Sequence, residues 1–179
     1  MKKFAILLFL SASSLFISCS NDDDDTIVID ESLIPGEWSL TEIRSEDGRV
    51  TTTIQGVPVS GSYDLTGKDY TAQVTFTEVS GTDPNTFTSS GGFTLVATVS
   101  IPTQSIDYEE AIPDFIGNGE WSVEGNTLTT SAQGQEQSFE IIALSAQTMS
   151  LKATIDETVE QQGFTFEATG SQIFTLTKN

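Results

Sequence analysis

From residue 33 to the C-terminus the chain alternates apolar and polar positions, and this period confines it to strands. In Tyr70-Thr71-Ala72-Gln73-Val74-Thr75-Phe76-Thr77, the residues Tyr70, Ala72, Val74 and Phe76 fall on one side. Thr71, Gln73, Thr75 and Thr77 fall on the other. Successive side chains of a strand point to opposite faces, so a period of two marks a half-buried strand. The segment Phe93-Thr94-Leu95-Val96-Ala97-Thr98-Val99-Ser100 repeats the pattern with Phe93, Leu95, Ala97 and Val99 inward, and is read as the partner strand. No stretch carries apolar residues at helical spacing.

The remainder reads the same way. Pro35-Gly36 opens the domain, and Glu37-Trp38-Ser39-Leu40-Thr41-Glu42-Ile43 places Trp38, Leu40 and Glu42 on one face. Asp47-Gly48 is a hairpin-turn signal, with residues 50–59 expected to return as an extended segment. Gly56 and Pro58 suggest an edge or a bulge. Residues 81–92 read as a long flexible connection. Residues 102–118 break the rhythm, with a helical turn expected at 107–112 before Pro113; such a segment is a lid, a binding loop or a plain connection. Glu124-Gly125-Asn126 and Gly134 mark turns, and further strands are expected around 119–123, 127–129, 139–144, 149–155, 164–168 and 173–177. About eight to ten strands with short connections predict an all-β fold, an antiparallel up-and-down barrel, with a β-sandwich as the alternative.

The formal net charge is −19, and no histidine is present. Nucleic-acid affinity rests on Lys and Arg neutralising phosphates, so that class is excluded. So is peripheral contact with anionic lipid. The missing histidine removes Ser-His-Asp and Cys-His catalysis and His-ligated zinc. A carboxylate-based hydrolase needs no histidine, and Asp107, Glu109, Glu110, Asp114 and Glu120 lie close in sequence. Among 26 acidic residues such proximity is expected by chance, and the chain is read as no enzyme. The same acids could hold Ca²⁺, but no spaced Asp-x-Asp-x-Asp-Gly loop is present, so no metal or cofactor is expected.

Lys2 and Lys3 precede an apolar run from Phe4 to Ile17. That is a secretory leader and is too short for a permanent span. Phe16-Ile17-Ser18-Cys19 resembles a lipobox, which makes Cys19 the lipidation site and residues 1–18 the signal peptide. Removing Lys2 and Lys3 leaves five basic residues against 26 acidic ones, 5 − 26 = −21. With Cys19, the single cysteine, lipidated, the domain has no disulfide and relies on its core. Residues 19–32 form the lipidated cysteine and an acidic tether, which like charges extend. Ser20-Asn21 followed by Asp22 to Asp25 resembles the surface-export signal of Bacteroidetes lipoproteins. The expected location is therefore the outer membrane, lipid-anchored and exposed at the cell surface, with a periplasm-facing protein as the alternative. Asp25-Thr26-Ile27 matches the short O-glycosylation pattern of such bacteria at Thr26.

Two stretches echo each other, Pro35-Gly36-Glu37-Trp38-Ser39-Leu40 and Asn118-Gly119-Glu120-Trp121-Ser122-Val123. The first resembles the opening Gly-x-Trp of lipocalins. The second, running into Glu124-Gly125-Asn126-Thr127-Leu128, resembles the middle of lipocalin-like domains of Bacteroidetes lipoproteins. The resemblance covers residues 33–178 and implies a single lipocalin-like barrel over 33–179. It departs from typical secreted lipocalins in lacking their basic residue and their disulfides. It implies binding of a small apolar ligand inside the barrel, lined by Trp38, Tyr70, Phe76, Phe93, Leu95, Trp121, Phe139, Met149, Phe164 and Phe166. The alternative is a surface interaction protein that holds a protein or glycan through its outer face or loops.

Overall fold

The structure is a computed structural model and describes residues 29–54, 56–102, 104–161 and 164–179. A short 3₁₀ helix, Glu31–Leu33, is capped by the Asp30 carboxylate, which accepts from Ser32 N at 3.2 Å. Eleven strands follow. They are β1 Gly36–Ile54, β2 Val57–Lys68, β3 Gln73–Thr77, β4 Asn85–Ser90, β5 Phe93–Ile101, β6 Gln104–Ile112, β7 Gly119–Glu124, β8 Thr127–Ala132, β9 Gln135–Leu144, β10 Thr148–Gln161 and β11 Phe164–Lys178. Their pairings are antiparallel, and β11 closes the sheet by pairing with β1 from Trp38↔Lys178 to Thr52↔Phe166.

The eleven strands build an eight-stranded meander. The first residues of β1 pair with β3, and its later residues pair with β2. Strands β2 and β3 are thus two lengths of one path, broken at residues 69–72. The path from β4 into β5 is broken at Gly91-Gly92, and that from β6 into β7 at residues 113–118. Below these breaks β1, β3, β4, β7, β8, β9, β10 and β11 form a closed barrel. Above them the order is β6-β5-β2-β1-β11-β10. Strand β10 leaves β9 after Lys152↔Glu140, and β6 pairs with β5 alone. The upper half is therefore a curved six-stranded sheet with two free edges.

Five local expectations are corrected. Asp47-Gly48 is a bulge inside β1, and the chain turns at Gly56 instead (φ 82°). Both a bulge and a tight turn use a positive φ, which Asp47 adopts at 53°, so the dipeptide alone does not distinguish them. Residues 107–112 belong to strand β6 rather than a helical turn, because β5 pairs along their whole length. The supposed connection at 81–92 contains β4, whose Phe87 is buried. Strand β5 pairs with β2 and β6, whereas β3 takes β4 as its outer neighbour. A second bulge, between Leu40 and Glu42, advances the phase by one residue. It buries Ile43 and leaves Glu42 exposed.

Candidate functional site

The lower half is a packed core. Trp38 is the third residue of β1, and its indole Nε1 donates to Ile34 O at 2.8 Å. Lys178, opposite it on β11, places Nζ 4.9 Å from the Trp38 ring centre and donates to Leu33 O at 2.7 Å. A basic residue is therefore present at the closed end, contrary to the reading that the chain lacks one. It was missed because it sits one residue from the C-terminus, with no motif around it. Trp121, in the second Gly-Glu-Trp-Ser copy, meets Phe76 edge-on at 5.7 Å and donates to Thr77 O at 3.3 Å. Trp38, Phe87, Leu128, Ile141 and Met149 are all 0–1% exposed, so no water-sized space touches them. A small barrel can fill itself in this way.

At the level of the breaks the interior is crossed by aromatic rings. Tyr70 lies 6.3 Å from Phe93, Phe93 6.1 Å from Phe115, Phe115 5.6 Å from Phe174, and Phe174 5.9 Å from Phe139. Such centroid separations are those of favourable offset and edge-to-face pairs. Phe115 comes from residues 113–118, so this connection supplies part of a floor. The Tyr70 hydroxyl accepts from Ile43 N at 2.9 Å and satisfies the backbone where β2 gives way to β3.

Above the floor, the inner face of the six-stranded sheet forms a cup. Registers stack its inward residues in rungs. The lowest joins Tyr108, Ala97, Leu65, Ser45, Gln172 and Ala153, with Ser45 Oγ accepting from Leu65 N at 2.8 Å. The next joins Ile106, Val99 and Tyr63 to Gly170 and Ile155. A third joins Gly61, Val50, Ala168 and Glu157. Ala97, Ala153, Ala168, Gly61 and Gly170 are among these residues, so the cup wall carries smaller side chains than the core below. Its apolar residues stay partly exposed, Ile106 on edge strand β6 at 52%.

The cup holds few polar side chains. Tyr63 lies across β1 at Gly48, where a Cβ would come within 2.9 Å of its ring. Its hydroxyl reaches Gly170, is buried, and has no hydrogen-bond partner among the described residues. Burial pushes this phenol above its ordinary value, and Glu157 adds to the effect. Burial likewise raises the Glu157 carboxyl, since desolvation disfavours the charged form. Tyr108 donates to Glu110 at 3.0 Å. The outer face is polar: Lys68 bridges to Glu109 at 2.8 Å, and Thr98 donates to Asp107 at 2.8 Å.

The residues singled out from sequence divide between these levels. Trp38, Phe76, Trp121, Phe139 and Met149 belong to the buried core. Phe93 and Leu95 are buried beside Tyr70 at the floor. Phe166 stands near the mouth, opposite Thr52. The Phe164 side chain, Cys19 and Thr26 lie outside the described residues. The acidic group at 107–120 is dispersed, because strand alternation sends Glu109 and Glu110 to opposite faces. Among the described residues no three carboxylates gather closely enough to hold a metal ion. Sequence reasoning passed over Tyr63, Tyr108, Ile106 and Glu157. The signal was available in β2, where Val59, Gly61, Tyr63 and Leu65 alternate with Ser60, Ser62 and Asp64.

A family model described as a lipocalin-like domain matches residues 34–151, more than half of the chain. The chain belongs to the lipocalin-like family. The match runs from the residue that receives the Trp38 indole bond to Leu151 near the start of β10, and β11 beyond it closes the barrel. No curated protein and no solved structure matches the chain significantly. A lipocalin-like barrel is in general an architecture for ligand binding.

Proposed function

We propose that this lipocalin-like protein is a lipid-anchored binding module that takes a small apolar ligand into the cup above its aromatic floor. The observation that carries the reading is the contrast between the two halves. Below the rings the core leaves no space, whereas above them an apolar inner face stays partly exposed between two free edges. Ligand sites are concave, mostly apolar and furnished with a few polar groups, and the cup has that composition. The lipobox-like sequence supports an anchor at Cys19, and the aspartate run supports display at the surface of the outer membrane.

The test uses the purified protein and a neutral fluorescent apolar dye such as Nile red. One saturable site is expected. Ala97→Trp, which fills the lowest rung between Tyr108 and Leu65, should abolish it without unfolding the barrel. Binding that is absent, or that survives in a folded Ala97→Trp protein, refutes the cup. It would direct attention to the outer face and a macromolecular partner. Anchoring is checked separately by mass spectrometry of the membrane fraction, where Cys19→Ala should remove the lipid mass.

A further inference from the structure

The ligand class is narrowed by the charges of the cup, an inference that rests on the cup being the binding site. The basic residues outside the leader number five: Arg44, Arg49, Lys68, Lys152 and Lys178. Arg44 pairs with Glu42 and Glu46, and Lys68 with Glu109, all away from the cup. Arg49 and Lys152 take outward positions on β1 and β10, and Lys178 lies over Trp38 at the closed end. Among the described residues no cation faces the cup. Two carboxylates of these residues do, one on each free edge. Glu110 on β6 accepts from Tyr108, while Glu157 on β10 has no cation beside it among the described residues.

We propose that the cup selects an apolar molecule bearing a protonated amine, with its apolar body on the Phe93–Phe115–Phe174 floor and its ammonium at Glu157. Two independent features of the lining point this way. The Tyr63 hydroxyl, on a side chain more than nine-tenths buried, lies one rung below Glu157 and has no partner among the described residues, so the wall beside Glu157 holds an unsatisfied hydrogen-bonding group. A half-buried carboxylate against apolar walls is itself unfavourable, and a bound ammonium offsets that cost through a charge-assisted hydrogen bond. Burial already holds Glu157 above its ordinary value, and a neighbouring cation would draw it back down. A fatty acid has the opposite complementarity: its carboxylate would enter a cup that presents two carboxylates and, among the described residues, no cation.

The experiment displaces Nile red from the full protein with octylamine, 1-octanol and octanoate at neutral pH. These share one chain and differ in head-group charge. Octylamine is expected to compete about tenfold or more better than octanol, with octanoate weakest. Glu157→Gln should collapse the amine-over-alcohol ratio while leaving octanol unchanged. Asp64→Asn, on the exposed outer face of β2, should leave the ratio intact. Octanoate competing as well as octylamine, or an amine preference that survives Glu157→Gln and disappears with added salt, overturns the amine assignment while the cup stands. Dye that does not bind at all overturns the cup, and this inference with it.

Discussion

Replacing Tyr63 with phenylalanine should stabilise the protein, contrary to the ordinary outcome of deleting a buried hydroxyl. A buried Tyr whose hydroxyl is bonded loses about 1 kcal/mol on conversion to Phe. At Tyr63 the sign reverses. The hydroxyl is buried beside Gly170 without a partner among the described residues, and leaving such a group unsatisfied costs about 1–3 kcal/mol. The ring is retained, so its packing on Gly48 is unchanged and no cavity forms. A gain of about 1 kcal/mol follows, which for a domain of this size raises Tm by roughly 2–4 °C. Urea denaturation followed by far-UV circular dichroism measures it, with the slope expected to stay constant because the exposed surface is the same. Tyr108→Phe is the internal control. Its hydroxyl donates to Glu110 at 3.0 Å, so it should be neutral or lose up to about 1 kcal/mol. A Tyr63→Phe protein less stable than wild type by as much as an ordinary bonded tyrosine would show that the hydroxyl is satisfied in solution. It would also remove one of the two features on which the amine reading stands.

Two further outcomes follow from named contacts. Lys178→Met should lower stability by about 1–3 kcal/mol, because it deletes a charged hydrogen bond to Leu33 O and a cation over the Trp38 ring; Lys178→Arg should recover most of the loss, and equal denaturation midpoints for wild type and Lys178→Met would refute the role. Glu157→Gln should be more stable than wild type at pH 8 and indistinguishable from it near pH 4. The folded carboxyl is raised by burial, so its contribution is fully present below the unfolded value and is lost as pH rises through the folded value; a difference that grows toward acid pH would refute the assignment.

Strand content was legible because alternation survives wherever one face is buried. Tyr70 to Thr77 and Phe93 to Ser100 each turned the expected face inward, as Ala72, Val74, Phe76 and Leu95 show. The barrel class was legible from the number of strands and from Gly-x-Trp. The breaks within strand paths were not. Residues 91–92 and 113–118 look like connections between separate strands, and residues 70–72 continue the alternation of β3, yet each break lies within a path that continues beside the same neighbour. Strand β6 was hidden because Tyr108 and Glu110 line the cup where a closed core would place aliphatic residues. Strand β4 was hidden because its one apolar residue, Phe87, sits among Thr and Ser. The site was least legible of all. Aromatic residues were taken as lining, but the largest of them complete a solid core, while the cup is built from small and aliphatic residues with two tyrosines and a few polar groups.

The two free edges explain why such a cup can persist. An open sheet edge is a template for another strand, and here both edges carry acid. Strand β6 bears Asp107, Glu109 and Glu110, and β10 bears Asp156 and Glu157. Like charge on both edges opposes closure of the upper half upon itself, and it equally opposes edge-to-edge pairing of two copies. The closed lower barrel holds the shared strands β1, β10 and β11 in place, so the upper half needs no continuous wall of its own. The acidic balance of the chain thus has a local use. It keeps an apolar cup open, and it leaves at the rim a carboxylate that a cationic ligand can neutralise.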